Sequence, residues 1–176
     1  MTKSKDHIYN VNLVWTGNPL TAAGQGTYSY TSYERSFEIH AEGKAVLQGS
    51  SDVAYRGDAT KYNPEEMLVA ALSSCHMLWY LHLCADNGIT VLDYKDNALG
   101  YMEPESVLKN TNGSVQLRPG KFTRIILQPE VRLSNPDDQP LATLLHQQAH
   151  KRCFIANSVN FDVLTEPVFT LQNTEK

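Results

Sequence analysis

With 19 carboxylates against 15 Lys and Arg in 176 residues, the chain carries a formal net charge of −4. That balance excludes a dedicated nucleic-acid binder, which needs a cationic face to displace counterions. The length suits a single domain, 1–176, large enough for a real hydrophobic core.

Met1 to Asp6 is polar and lacks the apolar centre of a signal peptide. Tyr9, Val11, Leu13 and Trp15 alternate with polar neighbours and predict a half-buried strand. Gly17-Asn18-Pro19 breaks it, and Gly24-Gln25-Gly26 reads as a turn. Thr27 to Tyr30, Ser36 to Ala41 and Ala45 to Gly49 read as short strands of an antiparallel meander. Ser50 to Tyr62 is a polar, irregular loop carrying Arg56.

A helix follows from Pro64 to about Asp86. Asn63 is a strong N-cap, Pro64 suits the first helical position, and Glu66 completes a capping box. Asn87-Gly88 is its stop. Apolar residues cover nearly every face, from Met67 and Leu68 through Leu72, Leu78 and Trp79 to Leu83. A helix of that kind is buried on all sides. One chain of this size can hardly surround it, so burial against a second copy is expected. His76, His82 and the Ser73-Ser74 pair interrupt the run, so no membrane span is expected.

Val91 to Met102 reads as a strand, and Ser114–Leu117 with Phe122–Leu133 as a hairpin around Pro119-Gly120. Asn135-Pro136 starts a second helix running to about Ile155, with Leu141, Leu144, Leu145, Ala149 and Phe154 in helical period. Val159, Phe161 and Val163 suggest a last strand.

Three widely spaced cysteines make a poor disulfide framework and suit a reducing compartment, so a cytoplasmic protein is expected. A thiol reacts as its thiolate. Cys75 is the twelfth helical residue, too far from the positive helix end to gain from it. Burial alone would silence it. A reactive Cys75 therefore needs a cation, and arginine serves best because it stays protonated when partly buried. Arg56 is the first candidate, with Arg35 and Arg124 behind it. Glu65 is a fitting carboxylate for such an arginine. It lies ten residues before Cys75, roughly 15 Å along a helix, so both serve one site only if it is composite across two chains.

Cys153, 78 positions after Cys75, is the candidate second thiol. A Cys75 oxidised by a peroxide becomes a sulfenic acid, which a neighbouring thiol converts to a disulfide. Cys84 faces elsewhere on the helix and reads as packing. The rival constellation is His146, His150 and Cys153 at i, i+4 and i+7, with Cys75 as a fourth ligand of a structural zinc. His76 and His82 are weaker candidates for bases. Trp79, Tyr80 and Phe154 read as core or pocket lining. GxGxxG, P-loop, HExxH and GxSxG signals are all missing, so no cofactor is expected.

The run Asn63-Pro64-Glu65-Glu66-Met67-Leu68-Val69-Ala70-Ala71-Leu72-Ser73-Ser74-Cys75 resembles the first cysteine signature of the OsmC/Ohr family. His150-Lys151-Arg152-Cys153 followed by Ala156-Asn157-Ser158-Val159 resembles the second, and Gly24-Gln25-Gly26-Thr27 also matches. The resemblance implies an α+β, OsmC-like fold: antiparallel sheets enclosing a long central helix in an intertwined homodimer. It implies thiol peroxidase activity on organic hydroperoxides, with an external dithiol as reductant. Cys75 would be the peroxidatic thiol and Cys153 the resolving thiol. Glu65 would hold the activating arginine, for which Arg56 lies within about one position of the family's place. One departure is Phe154, where the family often has proline after the second cysteine. A non-catalytic carrier of a small ligand is the alternative within the fold.

Overall fold

The computed structural model describes residues 6–17 and 26–170. The expected turn at Gly24-Gln25 and the break at Asn18-Pro19 lie outside the described residues. The chain forms two compact units, residues 1–67 and 68–176.

The first unit is built on an antiparallel sheet in the order β1 (Asn12–Trp15), β2 (Phe37–His40) and β3 (Leu47–Gly49). The strand expected at Thr27–Tyr30 is instead a run of bends and a turn. Arg35 explains the difference. Its guanidinium donates to the Tyr30 and Tyr33 carbonyls, and the Ser32 hydroxyl donates to Gly26 O. These bonds take carbonyls that a strand neighbour would otherwise use.

The unit ends on the start of α1 (Pro64–Asp86), whose bounds match the expectation. The capping box is complete. The Glu66 N–H donates to Asn63 Oδ1 at 2.7 Å, and the Asn63 N–H donates to Glu66 Oε2 at 3.0 Å. At the other end Gly88 adopts φ 72°, a left-handed stop that glycine takes without strain. The Ile89 N–H then closes the end onto Cys84 O at 2.9 Å.

In the second unit each expected long strand is divided in two. Val91–Met102 becomes β4 (Val91–Asp96) and β5 (Leu99–Glu103); Phe122–Leu133 becomes β8 (Lys121–Leu127) and β9 (Pro129–Leu133). Asp96 sits at both breaks. One carboxylate oxygen accepts the Gln128 N–H at 2.7 Å, and the other accepts the Ser73 hydroxyl of α1 at 2.5 Å. A side chain thus replaces the ladder where the strands part. The halves form two sheets, β11-β9-β4 and β10-β8-β5, with β10 (Asp162–Thr165) and β11 (Val168–Thr170) parallel to their neighbours.

The expected hairpin around Pro119-Gly120 does not form. β7 (Val115–Arg118) pairs with β6 (Ser106–Lys109) across a turn at Asn110–Gly113, while β8 pairs with β5 and β10. Asn112 Oδ1 accepts from Ser114 N–H and Oγ–H, and Gly113 sits at φ 80°, which places the turn earlier than the proline suggested.

α2 (Gln139–Arg152) follows a short 3-10 turn at Pro136–Asp138 and stops before the expected Ile155. Leu72, His76, Tyr80, Leu83 and Cys84 form the buried stripe of α1. Its first part meets Ile125 and Leu127 of β8. Its second part meets Val131 and Leu133 of β9 and Ala142, Leu145 and Ala149 of α2. By length and composition α1 could cross a bilayer. Its Ser73 and His76 are nevertheless bonded to Asp96 and His146, as suits the core helix of this unit. The other faces of α1 are less covered within one chain, and Leu78 is 64% exposed.

Candidate functional site

Arg56 sits on a loop of the first unit that is ordered by local polar chemistry. The loop base is closed by the Ser50 N–H to Tyr62 O bond at 3.0 Å, beside a bridge between Gly49 and Tyr62. Asp52 caps a short 3-10 turn, Val53–Tyr55, by accepting the Ala54 N–H at 2.7 Å. Asp58 turns the chain back. It accepts the Thr60 hydroxyl at 2.7 Å and the Thr60 N–H at 2.9 Å, and pairs with Lys61 at 3.2 Å. The Thr60 hydroxyl, then its N–H and Lys61, hold that carboxyl at about 2. Gly57 has no room for a side chain, because a Cβ there would lie 1.5 Å from Ser51 O.

Arg56 itself is left-handed, with φ 67° and ψ 29°, and is the one non-glycine at positive φ among the described residues. Such a backbone costs a side-chain-bearing residue roughly 1–2 kcal/mol, and strain of this kind collects at functional positions. Its side chain is exposed and makes no hydrogen bond or ion pair among the described residues. Arg35 and Arg124 differ. Arg35 is bonded into its own turn and stacks over Tyr33 at 4.0 Å, and Arg124 stacks over Tyr101 at 3.9 Å. Of the three arginines, Arg56 is the one left uncommitted. The expected Arg56–Glu65 ion pair is not formed within one chain; Glu65 is half-buried in the first turn of α1.

In the second unit Cys75 and Cys153 meet. Their side chains lie near enough to influence each other's ionisation, although 78 positions separate them in the chain. Cys75 is partly exposed and Cys153 is buried. Burial pushes the Cys153 thiol up to about 11, and the neighbouring Cys75 adds to it; the Ala156 N–H, donating to the Cys153 sulfur at 3.4 Å, opposes the shift. Cys153 therefore stays a thiol at neutral pH.

Cys153 is the C-cap of α2 rather than part of it, with an extended backbone at φ −66° and ψ 110°. Its carbonyl accepts from the Asn157 N–H and from Asn157 Nδ2, both at 3.0 Å. These bonds hold the backbone where a following proline would otherwise restrict it. Phe154 is 69% exposed, with its ring edge against Trp79, and Arg152 lies over the same indole at 5.7 Å.

The zinc constellation is corrected. Because α2 ends at Arg152, Cys153 leaves the helical face that carries His146 and His150. Its sulfur turns to Cys75, and His146 turns to His76. Among the described residues no group of three or more His, Cys, Asp or Glu is placed to hold a metal ion. His82 forms an exposed pair with Asp86 at 3.4 Å. Cys84 is buried beside Tyr80, and burial raises its thiol further from reaction.

Sequence reasoning missed the pairing of His76 with His146. His76 Nε2 lies 3.0 Å from His146 Nδ1, and both rings are buried. His146 also stacks on Tyr80, with ring centres 3.7 Å apart. Burial holds His76 at about 4 and His146 at about 3, each lowered further by a neighbouring histidine. Both imidazoles are neutral at pH 7. The available signal was that His76 falls in the same four-residue stripe as Leu72, Tyr80 and Cys84.

The OsmC-like protein family matches residues 57–166. None of the curated proteins compared with the chain matches it. Among solved structures, an OsmC-like protein of unknown function from Vibrio cholerae is 28% identical, with a TM-score of 0.69 over 93% of this chain and 100% of that one. An OsmC-like protein from Mycoplasma pneumoniae, 14% identical, gives 0.63 over 94% and 99%. An organic hydroperoxide resistance protein from Legionella pneumophila, 15% identical, gives 0.53 over 94% and 99%. The last two likenesses are of fold.

Proposed function

The chain belongs to the OsmC-like family, and on that premise we propose that it is a cysteine-based peroxidase that reduces organic hydroperoxides. The observation that carries the reading is the contact between Cys75 and Cys153. The Cys75 thiolate attacks the outer oxygen of R–O–O–H. The O–O bond breaks, the alkoxide takes a proton and leaves as R–OH, and Cys75 becomes a sulfenic acid. The Cys153 sulfur then attacks the Cys75 sulfur, hydroxide leaves with the Cys153 proton as water, and a disulfide forms. An external dithiol reduces it back to two thiols and is itself oxidised to a disulfide.

Arg56 supplies the cation that holds the Cys75 thiolate and orients the peroxide. Its uncommitted guanidinium and strained backbone support that role. Glu65 positions Arg56 across a homodimer, since the two do not pair within one chain. Leu13 and Trp15 on β1 and Leu78 on α1, each more than 40% exposed, supply apolar surface for a second copy.

The test is mass spectrometry of the reduced protein after one equivalent of cumene hydroperoxide. The expected product is about 2 Da lighter, with Cys75 joined to Cys153. A protein left fully reduced while the hydroperoxide persists would instead favour a ligand carrier.

A further inference from the structure

The last carbonyls of a helix have no donor inside it, so a group beyond its end must meet them. At the end of α2 one exposed side chain does so. Asn157 Nδ2 donates to Lys151 O at 3.1 Å and to Cys153 O at 3.0 Å. The Asn157 N–H donates to the same Cys153 carbonyl at 3.0 Å. Residues 151–157 are thereby closed into a loop with Cys153 inside it. Ser158 adds bonds further along, from Oγ–H to Phe154 O at 2.8 Å and from N–H to Ile155 O at 3.0 Å.

The closure reaches the sulfur, because it sets the Ala156 nitrogen 3.4 Å from Cys153 Sγ. Cys153 is buried, and burial penalises a thiolate. Disulfide formation needs negative charge on that sulfur. Cys153 Sγ attacks Cys75 Sγ, the S–O bond of the sulfenic acid breaks, and hydroxide departs with the Cys153 proton as water. A fixed N–H aimed at Cys153 Sγ stabilises the charge without reorganising. Phe154 does not fix the backbone here, since unlike proline it leaves its own φ free. Delay also has a cost. A sulfenic acid that waits meets a second hydroperoxide, whose O–O bond breaks to give R–OH and a sulfinic acid that no longer forms the disulfide.

We propose that Asn157 is a positioning residue for the disulfide step: its amide holds the 151–157 loop so that Cys153 reaches Cys75 before a second oxidant does. This role rests on the reading of Cys75 and Cys153 as a peroxidase thiol pair. The test compares the full chain with Asn157→Ala and Asn157→Asp; an ionised aspartate keeps the shape but has no donor. In one arm the reduced proteins meet excess cumene hydroperoxide and the products are read by mass spectrometry. The first oxidation of Cys75 should keep its rate within about twofold in both variants. The ratio of sulfinic acid to disulfide should rise about tenfold, as suits the loss of two hydrogen bonds. In the other arm a glutathione redox buffer replaces the hydroperoxide, and glutathione disulfide is reduced to two thiols as the Cys75–Cys153 disulfide forms. The equilibrium constant for that exchange should fall about tenfold in both variants. Ser158→Ala, which removes a neighbouring bond of the same turn, should leave both readings within about twofold. Unchanged readings in Asn157→Ala, an Asn157→Asp variant equal to the parent, or an equal loss in Ser158→Ala would overturn the role. A parent that consumes no hydroperoxide would remove the peroxidase reading instead, and the glutathione arm would still decide the part played by Asn157.

Discussion

The Arg56 loop and the thiol pair are built by opposite means. In the loop each bond spans a few residues: Asp52 to Ala54, Asp58 to Thr60 and Lys61, with one closure from Ser50 to Tyr62. Cys75 and Cys153 meet only because α1 and the end of α2 pack in one unit. The loop spends strain to present one free cation. The thiol pair sits in a packed setting that keeps Cys153 protonated. Local polar turns and distant packing should respond differently to mutation.

The largest effect is expected at the thiols. Cys75→Ser should abolish hydroperoxide consumption, whereas Cys153→Ser should still take up one oxidising equivalent and then stop. Measured turnover in Cys75→Ser near that of the unmodified protein would remove the assignment. Arg56→Gly separates function from folding. It should lower turnover by about 100-fold or more, as loss of one charge-stabilising donor commonly does. It should leave stability equal or raise it by up to about 1 kcal/mol, because glycine accepts the left-handed backbone. A denaturant titration beside a peroxide assay reads both.

The packed region should also carry the acid sensitivity. His76 and His146 have folded values of about 4 and 3, below the ordinary 6.5. Their neutral forms therefore support the fold fully above pH 6.5. As pH falls from 6.5 towards 4 and then 3, the unfolded chain gains protons that the folded chain refuses, and stability drops. The loss should be on the order of a few kcal/mol. Replacing both imidazoles, as in His76→Leu with His146→Phe, should flatten the dependence of the denaturation midpoint on pH in this window. A slope unchanged by that double substitution would assign the acid response to other groups. The smallest effect belongs to local structure: Asn63→Ala should cost about 1 kcal/mol in thermal unfolding by removing half of the capping box.

α1 was legible because its signals are local. A cap, a proline, a glutamate three residues on and a glycine stop lie within the segment they define. The loop was recognised as polar, but its order was not, since the Asp and Thr bonds depend on the turns they create. The divided strands were missed because Asp96 reaches Gln128 across 32 positions. The hairpin was misplaced because proline and glycine mark a break without naming the partner, and β7 chose β6.

The amino-acid order by itself determined the bounds of α1, the polar loop that carries Arg56, the candidate residue types and the family. These rest on hydrogen bonds and backbone preferences between near neighbours. Only the tertiary structure decided that Cys153 lies beside Cys75, that His146 pairs with His76 instead of joining a metal set, and that Arg56 has no side-chain partner among the described residues. Those outcomes depend on which buried faces pack together. Contacts between residues about 70 or more positions apart leave no periodic trace in the chain.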